Sequence, residues 1–185
     1  MSNVVASKSS DPASGTKLAQ GEAVTYTLTF ENVSTNPDAA AAAIDYTDYL
    51  VDVLDDATLT NGPVSSDADV TATLAGNTIR VTGQVAPGAT TIVTYTVIVK
   101  AYNQQGNHAL GNVIAITGED PVCAAGSPLC TRHELTPPPP LAVTGGDIAW
   151  TAAYTGIGLL ILGAGAFLIA RRRRADAPTG GPTQS

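Results

Sequence analysis

Thr90–Lys100 reads TTIVTYTVIVK, and its side chains fall into two interleaved sets. Val93, Tyr95, Val97 and Val99 share one side, and Ile92, Thr94, Thr96 and Ile98 share the other. A period of two is the signature of a pleated strand, and β-branched and aromatic residues are the types that pack well on one. Gly21–Asn32 (GEAVTYTLTFEN) repeats the pattern, with Val24, Tyr26, Leu28 and Phe30 opposite Thr25, Thr27, Thr29 and Glu31. Working outward, weaker strands are expected at Val4–Lys8, Ala42–Asp48, Val70–Leu74, Ile79–Val81 and Leu110–Thr117. Turn signals separate them: Gln20-Gly21, Asn61-Gly62-Pro63, Ala75-Gly76-Asn77 and Pro87-Gly88. Gly76-Asn77 between two alternating runs predicts a hairpin, and Tyr49–Asp56 (YLVDVLDD) a short helical turn. About seven short strands in roughly 115 residues predict an all-β, immunoglobulin-like antiparallel β-sandwich.

Composition limits what such a sandwich does. The 185 residues suffice for one ordinary domain and little more. Residues 1–140 carry fourteen Asp and Glu against five Lys and Arg, a net charge of −9 that argues against nucleic acid and anionic lipid as partners. Enzyme signatures are missing: the chain has no Gly-rich phosphate loop before a helix, no GxSxG and no HExxH. The expectation is a non-enzymatic protein with no catalytic residues, no cofactor and no metal. Asp55-Asp56, and Asp67 with Asp69, fall short of a calcium loop and are read as a solvated face. Asn32-Val33-Ser34 fits the glycosylation sequon.

The C-terminal quarter has a different character. After the ectodomain, residues 1–135, Thr136–Pro140 (TPPPP) forms a stiff polyproline spacer over 136–140. Residues 141–146 read LAVTGG, and 148–170 are 23 residues without a charge. As a helix that run would extend roughly 34 Å, enough to cross a bilayer. Trp150 and Tyr154 fall near its start, where an interface favours them, and Arg171, Arg172, Arg173 and Arg174 follow as a cytoplasmic stop. The topology expected is N-outside and C-inside, with 171–185 as basic stop and disordered tail.

The order of short motif, apolar helix and arginine tail resembles the sorting signal of sortase substrates in Gram-positive bacteria, over about residues 137–185. The motif Leu141-Ala142-Val143-Thr144-Gly145, with Ala142 where proline is commoner, is similar to the form read by class E sortases. The resemblance implies cleavage between Thr144 and Gly145 and transfer of the Thr144 acyl group to a cell-wall amine. The implied partners are sortase and peptidoglycan, with one helix holding the chain in the membrane before processing. The implied location is the outer face of the cell.

Residues 3–134 resemble the DUF11-like repeat domains of bacterial surface proteins. The matching pieces are Lys8–Pro12 (KSSDP), Gly21–Asn32, Asp48-Tyr49-Leu50 with Val53–Ala57 (VLDDA), Ala86–Val99 (APGATTIVTYTVIV) and Leu110–Val113 (LGNV). The resemblance implies a stalk or adhesin module with an unknown extracellular ligand. Two alternatives stand beside it: a sortase-polymerised pilin subunit, though Lys17 and Lys100 lack a pilin context, and a single-pass membrane protein that is never cut. Residues 1–20 are polar, with no apolar export segment, so the chain is expected to be the C-terminal piece of a longer surface protein or to have a misplaced start.

Three polar residues fall out of pattern. Lys8 is in phase with Val4 and Ala6, Asp48 with Ile44 and Tyr46, and Asn112 with Leu110, Ile114 and Ile116. All three are predicted on inward faces, where an unpaired charge is costly. Surface domains of this general kind form Lys–Asn isopeptide bonds assisted by a carboxyl, so the resemblance makes Lys8, Asn112 and Asp48 candidates. The alternative leaves Lys8 reaching solvent, Asn112 bonding backbone at a strand end and Asp48 capping the following turn. Cys123 and Cys130 bracket Ala124–Leu129 (AAGSPL), too long a gap for a CxxC pattern, and outside the cell they are expected to form a disulfide. His108 and His133 add too little for a metal site.

Overall fold

The computed structural model describes residues 4–124 and 126–140. The candidate motif Leu141–Gly145, the apolar run 148–170 and Arg171–Arg174 lie outside the described residues. Among the described residues no helix is long and apolar enough to cross a membrane.

Among the described residues there are nine strands: β1 Val4–Asp11, β2 Ala23–Asn32, β3 Ala42–Tyr49, β4 Ala57–Ser65, β5 Val70–Ala75, β6 Thr78–Val85, β7 Thr90–Val99, β8 Ala109–Ile116 and β9 Cys130–Glu134. One short helix, α1 (Val51–Leu54), follows β3, within the stretch where a helical turn is predicted. The strands form two antiparallel sheets, β1-β2-β7-β4 and β5-β6-β3-β8-β9. The molecule is therefore a two-sheet sandwich, as the alternation predicts.

The two decisive runs lie side by side in the first sheet, with Tyr26 opposite Tyr95 and Leu28 opposite Val93. Their inner sets, Val24, Tyr26, Leu28 and Phe30 with Val93, Tyr95, Val97 and Val99, are buried. They meet Ile44, Ile79, Val81, Val85, Leu110 and Ile114 from the second sheet in one apolar core. Each such side chain contributes about 1.5–3 kcal/mol through removal from water. On the outer face Thr25 and Thr96, paired across the strands, join hydroxyls at 3.1 Å. The predicted hairpin is β5–β6, closed by Ala75 opposite Thr78 with Gly76 at φ +59°. At Gly83 (φ +149°) a Cβ would stand 2.2 Å from the Asp69 carbonyl oxygen, so only glycine lets β5 and β6 meet there.

Two strands go beyond the expectation. Asn61-Gly62-Pro63 is not a turn between strands but the irregular middle of β4, where pairing with β7 slips between Leu59 and Asn61 and again between Asn61 and Val64. β4 is an edge strand, the place in a sheet that tolerates proline and a bulge. β9, beyond the expected strands, pairs with β8, which carries Asn112, and β1 and β8 stand in opposite sheets.

Cys123 and Cys130 are joined by a disulfide. The loop they close lies across the sandwich edge. The Pro128 carbonyl accepts from the Lys8 backbone N–H at 2.7 Å, and the Leu129 carbonyl accepts from Ile114 N–H at 2.9 Å. The staple thus ties β1 of one sheet to β8 of the other. Reduction is expected to lower unfolding free energy by about 2–3 kcal/mol, the loop-closure value for so short a ring. Denaturant unfolding with and without reductant measures it, and coincident curves would show that the loop is held without the bridge.

Candidate functional site

Lys8 sits on the inner face of β1, and its side chain is fully buried. Asp48 on β3 and Asn112 on β8 face it from the other sheet, 0% and 1% exposed. Tyr95 rises from the interior strand β7 into the same space. The structure brings together all three residues nominated from the sequence and adds the tyrosine. The alternative placements are absent: Lys8 does not reach solvent, and no side chain caps α1.

The hydrogen bonds form one connected network. Lys8 Nζ donates to Asp48 Oδ1 and Oδ2, both at 2.7 Å, and to Tyr95 Oη at 3.1 Å. Tyr95 O–H donates to Asp48 Oδ2 at 2.6 Å. Asn112 Nδ2 donates to Tyr95 Oη at 2.5 Å. The phenol uses its proton and both lone pairs, the full capacity of a hydroxyl. Tyr26 stacks on Tyr95 with ring centroids 5.2 Å apart, and Lys8 Nζ lies 5.1 Å from the Tyr26 centroid, within cation–π range. Asn112 Oδ1 and the Tyr26 hydroxyl are buried without a hydrogen-bond partner. The Tyr26 hydroxyl lies beside the Asn112 side chain.

Burial sets the electrostatics. It pushes the Lys8 ammonium below its ordinary range, against the opposing pull of Asp48. It pushes the phenols of Tyr95 and Tyr26 above theirs, and the Asp48 charge adds to both shifts. Taking an ammonium out of water favours its neutral amine form. An amine, a carboxyl and a carboxamide thus share one buried space. An amine beside a carboxamide and a carboxyl is a set of groups that can support acyl substitution.

Residues 3–135 match the family described as Domain of unknown function (DUF7927). The chain belongs to that family. No curated protein matches the chain. Among solved structures, the DUF7927 chain is similar to the N-terminal domain of the Streptococcus gordonii adhesin Sgo0707, with 18% identity, 71% of this chain and 32% of that one covered, and a TM-score of 0.45. The Streptococcus pneumoniae pilus backbone RrgB gives 12% identity, 60% and 52% coverage, and a TM-score of 0.43. Domains D2 and D3 of the Corynebacterium diphtheriae major pilin SpaD give 18% identity, 70% and 50% coverage, and a TM-score of 0.41. The chain spans between about a third and a half of these solved chains.

The DUF7927 domain holds further polar residues that its sequence does not advertise. Asp56, read with Asp55 as solvated, is fully buried, and its Oδ1 accepts from Gly106 and His108 N–H at 2.8 and 3.2 Å. Those two amides are otherwise orphaned by the loop before β8, and His108 is held at φ +60°. Asn32 of the sequon is also buried, its Nδ2 donating to the Val85 carbonyl at 2.8 Å, so no glycan reaches it in the folded domain. His133 is buried as well, Nδ1 against the Thr16 carbonyl and Nε2 against Ser10 Oγ, both at 3.0 Å. Among the described residues no cluster of His, Cys, Asp or Glu is arranged to hold a metal.

The ion pair is testable in an Asn112→Ala background, which has no amide to attack. Asp48→Ala there is expected to cost about 3–5 kcal/mol by stranding the Lys8 charge, and the double change Lys8→Met/Asp48→Leu far less. Equal costs in denaturant unfolding would mean that the carboxylate does not hold the lysine. Because the folded state binds the Lys8 proton less tightly than the unfolded chain, stability in the same background rises with pH toward 10.5. Above about pH 10 the buried tyrosines, held protonated, oppose the rise. A steady decline from neutral pH upward would reverse the inferred sign.

Proposed function

We propose that this chain is a non-enzymatic stalk or adhesin module of a Gram-positive surface protein. In this reading it closes an isopeptide bond between Lys8 and Asn112, and a class E-type sortase anchors it to peptidoglycan by cutting between Thr144 and Gly145. The observation that carries the first half is the buried network of Lys8, Asp48, Tyr95 and Asn112 between the sheets. The second half rests on the sequence: LAVTG, the uncharged run 148–170 and four arginines, in that order. The Cys123–Cys130 bridge fits an extracytoplasmic address.

The crosslinking chemistry balances without a cofactor. One proton passes from Lys8 Nζ to Asp48, leaving a neutral amine and a carboxylic acid. The amine lone pair attacks Asn112 Cγ, and the carbonyl electrons move onto Oδ1. The Cγ–Nδ2 bond then breaks as Nδ2 gains a proton, and the nucleophile gives up its second proton to Asp48. Ammonia leaves, Lys8 and Asn112 share an amide, and Asp48 remains protonated. Nucleophile and amide held in place by folding avoid most of the entropic cost of meeting in solution. The product also removes a charge pair from an apolar core, and it joins the two sheets by a covalent bond suited to a load-bearing spacer.

Two measurements test the two halves separately. Intact mass of the folded, exported protein should fall short of the sequence mass by one ammonia, and the full mass would sink the crosslink. The chain is then expressed behind an export signal in a Gram-positive host with class E sortase, and the cells are fractionated. Release by muramidase with a peptide ending at Thr144 joined to wall fragment supports anchoring. Release only by detergent, with Arg171–Arg174 retained, makes it a single-pass membrane protein, and a ladder on a denaturing gel makes it a pilin subunit.

A further inference from the structure

We propose that Tyr95 is a catalytic residue of the Lys8–Asn112 condensation, its phenol passing a proton from Asp48 to the departing Asn112 nitrogen. The inference rests on the crosslinking reading above and deepens it. An amide does not expel its nitrogen as an anion, so Nδ2 must be protonated before Cγ–Nδ2 breaks. The acid available is Asp48, once it has taken the Lys8 proton. Yet Asp48 makes no hydrogen bond to Asn112 among the described residues; its partners are Lys8 and Tyr95. The hydrogen-bonded route from carboxyl to amide nitrogen runs through one atom, Tyr95 Oη, 2.6 Å from Asp48 Oδ2 and 2.5 Å from Nδ2.

The geometry suits a relay. Tyr95 is 1% exposed on an interior strand, with its ring against Tyr26, so the phenol oxygen is fixed between the two groups it serves. Burial and the Asp48 charge hold the phenol well above its ordinary range, which keeps it protonated and able to give and accept a proton in one motion. The balance is closed. Tyr95 gives its proton to Nδ2 as Asp48 replaces it, the attacking nitrogen returns a proton to Asp48, and the phenol ends as it began. Lys8 Nζ also touches Tyr95 Oη at 3.1 Å, so nucleophile and leaving group are held against the same oxygen before reaction.

The test follows ammonia loss by intact mass, over time after refolding and across a range of pH, in the wild-type chain, in Tyr95→Phe, and in a chain carrying ring-fluorinated tyrosine at position 95. Tyr95→Phe keeps the ring and removes the relay; it is expected to fold with unchanged strand content and to form the bond at least about 10²-fold more slowly, the usual worth of a positioned acid–base group. The fluorinated phenol, being more acidic, is expected to restore the reaction with a displaced pH profile. Tyr95→Phe crosslinking at the wild-type rate overturns the proposal, as does a fluorinated chain whose pH profile matches wild type. Should Tyr95→Phe fail to fold, the fluorinated chain decides alone. A wild-type chain that never loses ammonia overturns the crosslinking reading itself, and Tyr95 loses its role with it.

Discussion

An ammonium and a carboxylate 2.7 Å apart, both without solvent exposure, occupy a space that sandwich domains ordinarily fill with aliphatic side chains. The rest of the site follows from that contact. Removing these charges from water is expensive, and close approach alone repays little unless every remaining lone pair and proton finds a partner. Tyr95 supplies a donor to the carboxylate and an acceptor to the ammonium, and Tyr26 turns a ring face toward the cation. Asn112 fills the last acceptor site on the phenol and keeps its own oxygen unpaired. The Asn112 carbonyl and the Tyr26 hydroxyl are the groups this network leaves unpaired. Stability alone would favour hydrocarbon.

The same contact explains the division of labour between the sheets. Lys8 and Tyr95 come from the four-stranded sheet, and Asp48 and Asn112 from the five-stranded one. Neither Lys8 nor Tyr95 meets Asp48 or Asn112 until the sheets have packed. The disulfide loop adds a second link at the same edge, with Pro128 held against the backbone of Lys8 itself. Burial, pairing and the staple thus act on one strand, β1, whose position sets where the Lys8 amine lies.

The sequence was legible where alternation was clean. Thr90–Val99 and Ala23–Asn32 place their apolar inner residues correctly, because each inner set is a run of apolar side chains at every second position, while the polar Thr91 and Asn32, buried on the same faces, escape the reading. It was illegible where polar residues are buried or turn residues sit in a strand. In β9 the inward positions are Thr131 and His133, so its period is invisible to a reading by hydrophobicity. In β4, Asn61-Gly62-Pro63 carries the chemistry of a turn but lies at a sheet edge, where broken pairing is tolerated. Lys8, Asp48 and Asn112 could be found because each breaks an apolar phase. Tyr95 could not, because a tyrosine on a core face is ordinary and only the third dimension shows what its hydroxyl touches. Asp56 was hidden by its neighbour: an acidic doublet reads as solvated, yet one member is buried against amides fifty residues further along.

The irregular middle of β4 bears on how copies of this domain coexist. A regular edge strand offers a row of free backbone donors and acceptors that a second chain can extend into a continuous sheet. Pro63 offers no donor, and the slips on either side of Asn61 throw the remaining groups out of register. At the other end of the same sheet the loop carrying Pro128 already takes the Lys8 backbone N–H. Both open ends of the four-stranded sheet are therefore obstructed, one by a kink and one by a latch. A neighbouring copy that approaches this sheet meets an edge its own chain has already broken or occupied, and finds no regular strand there to extend.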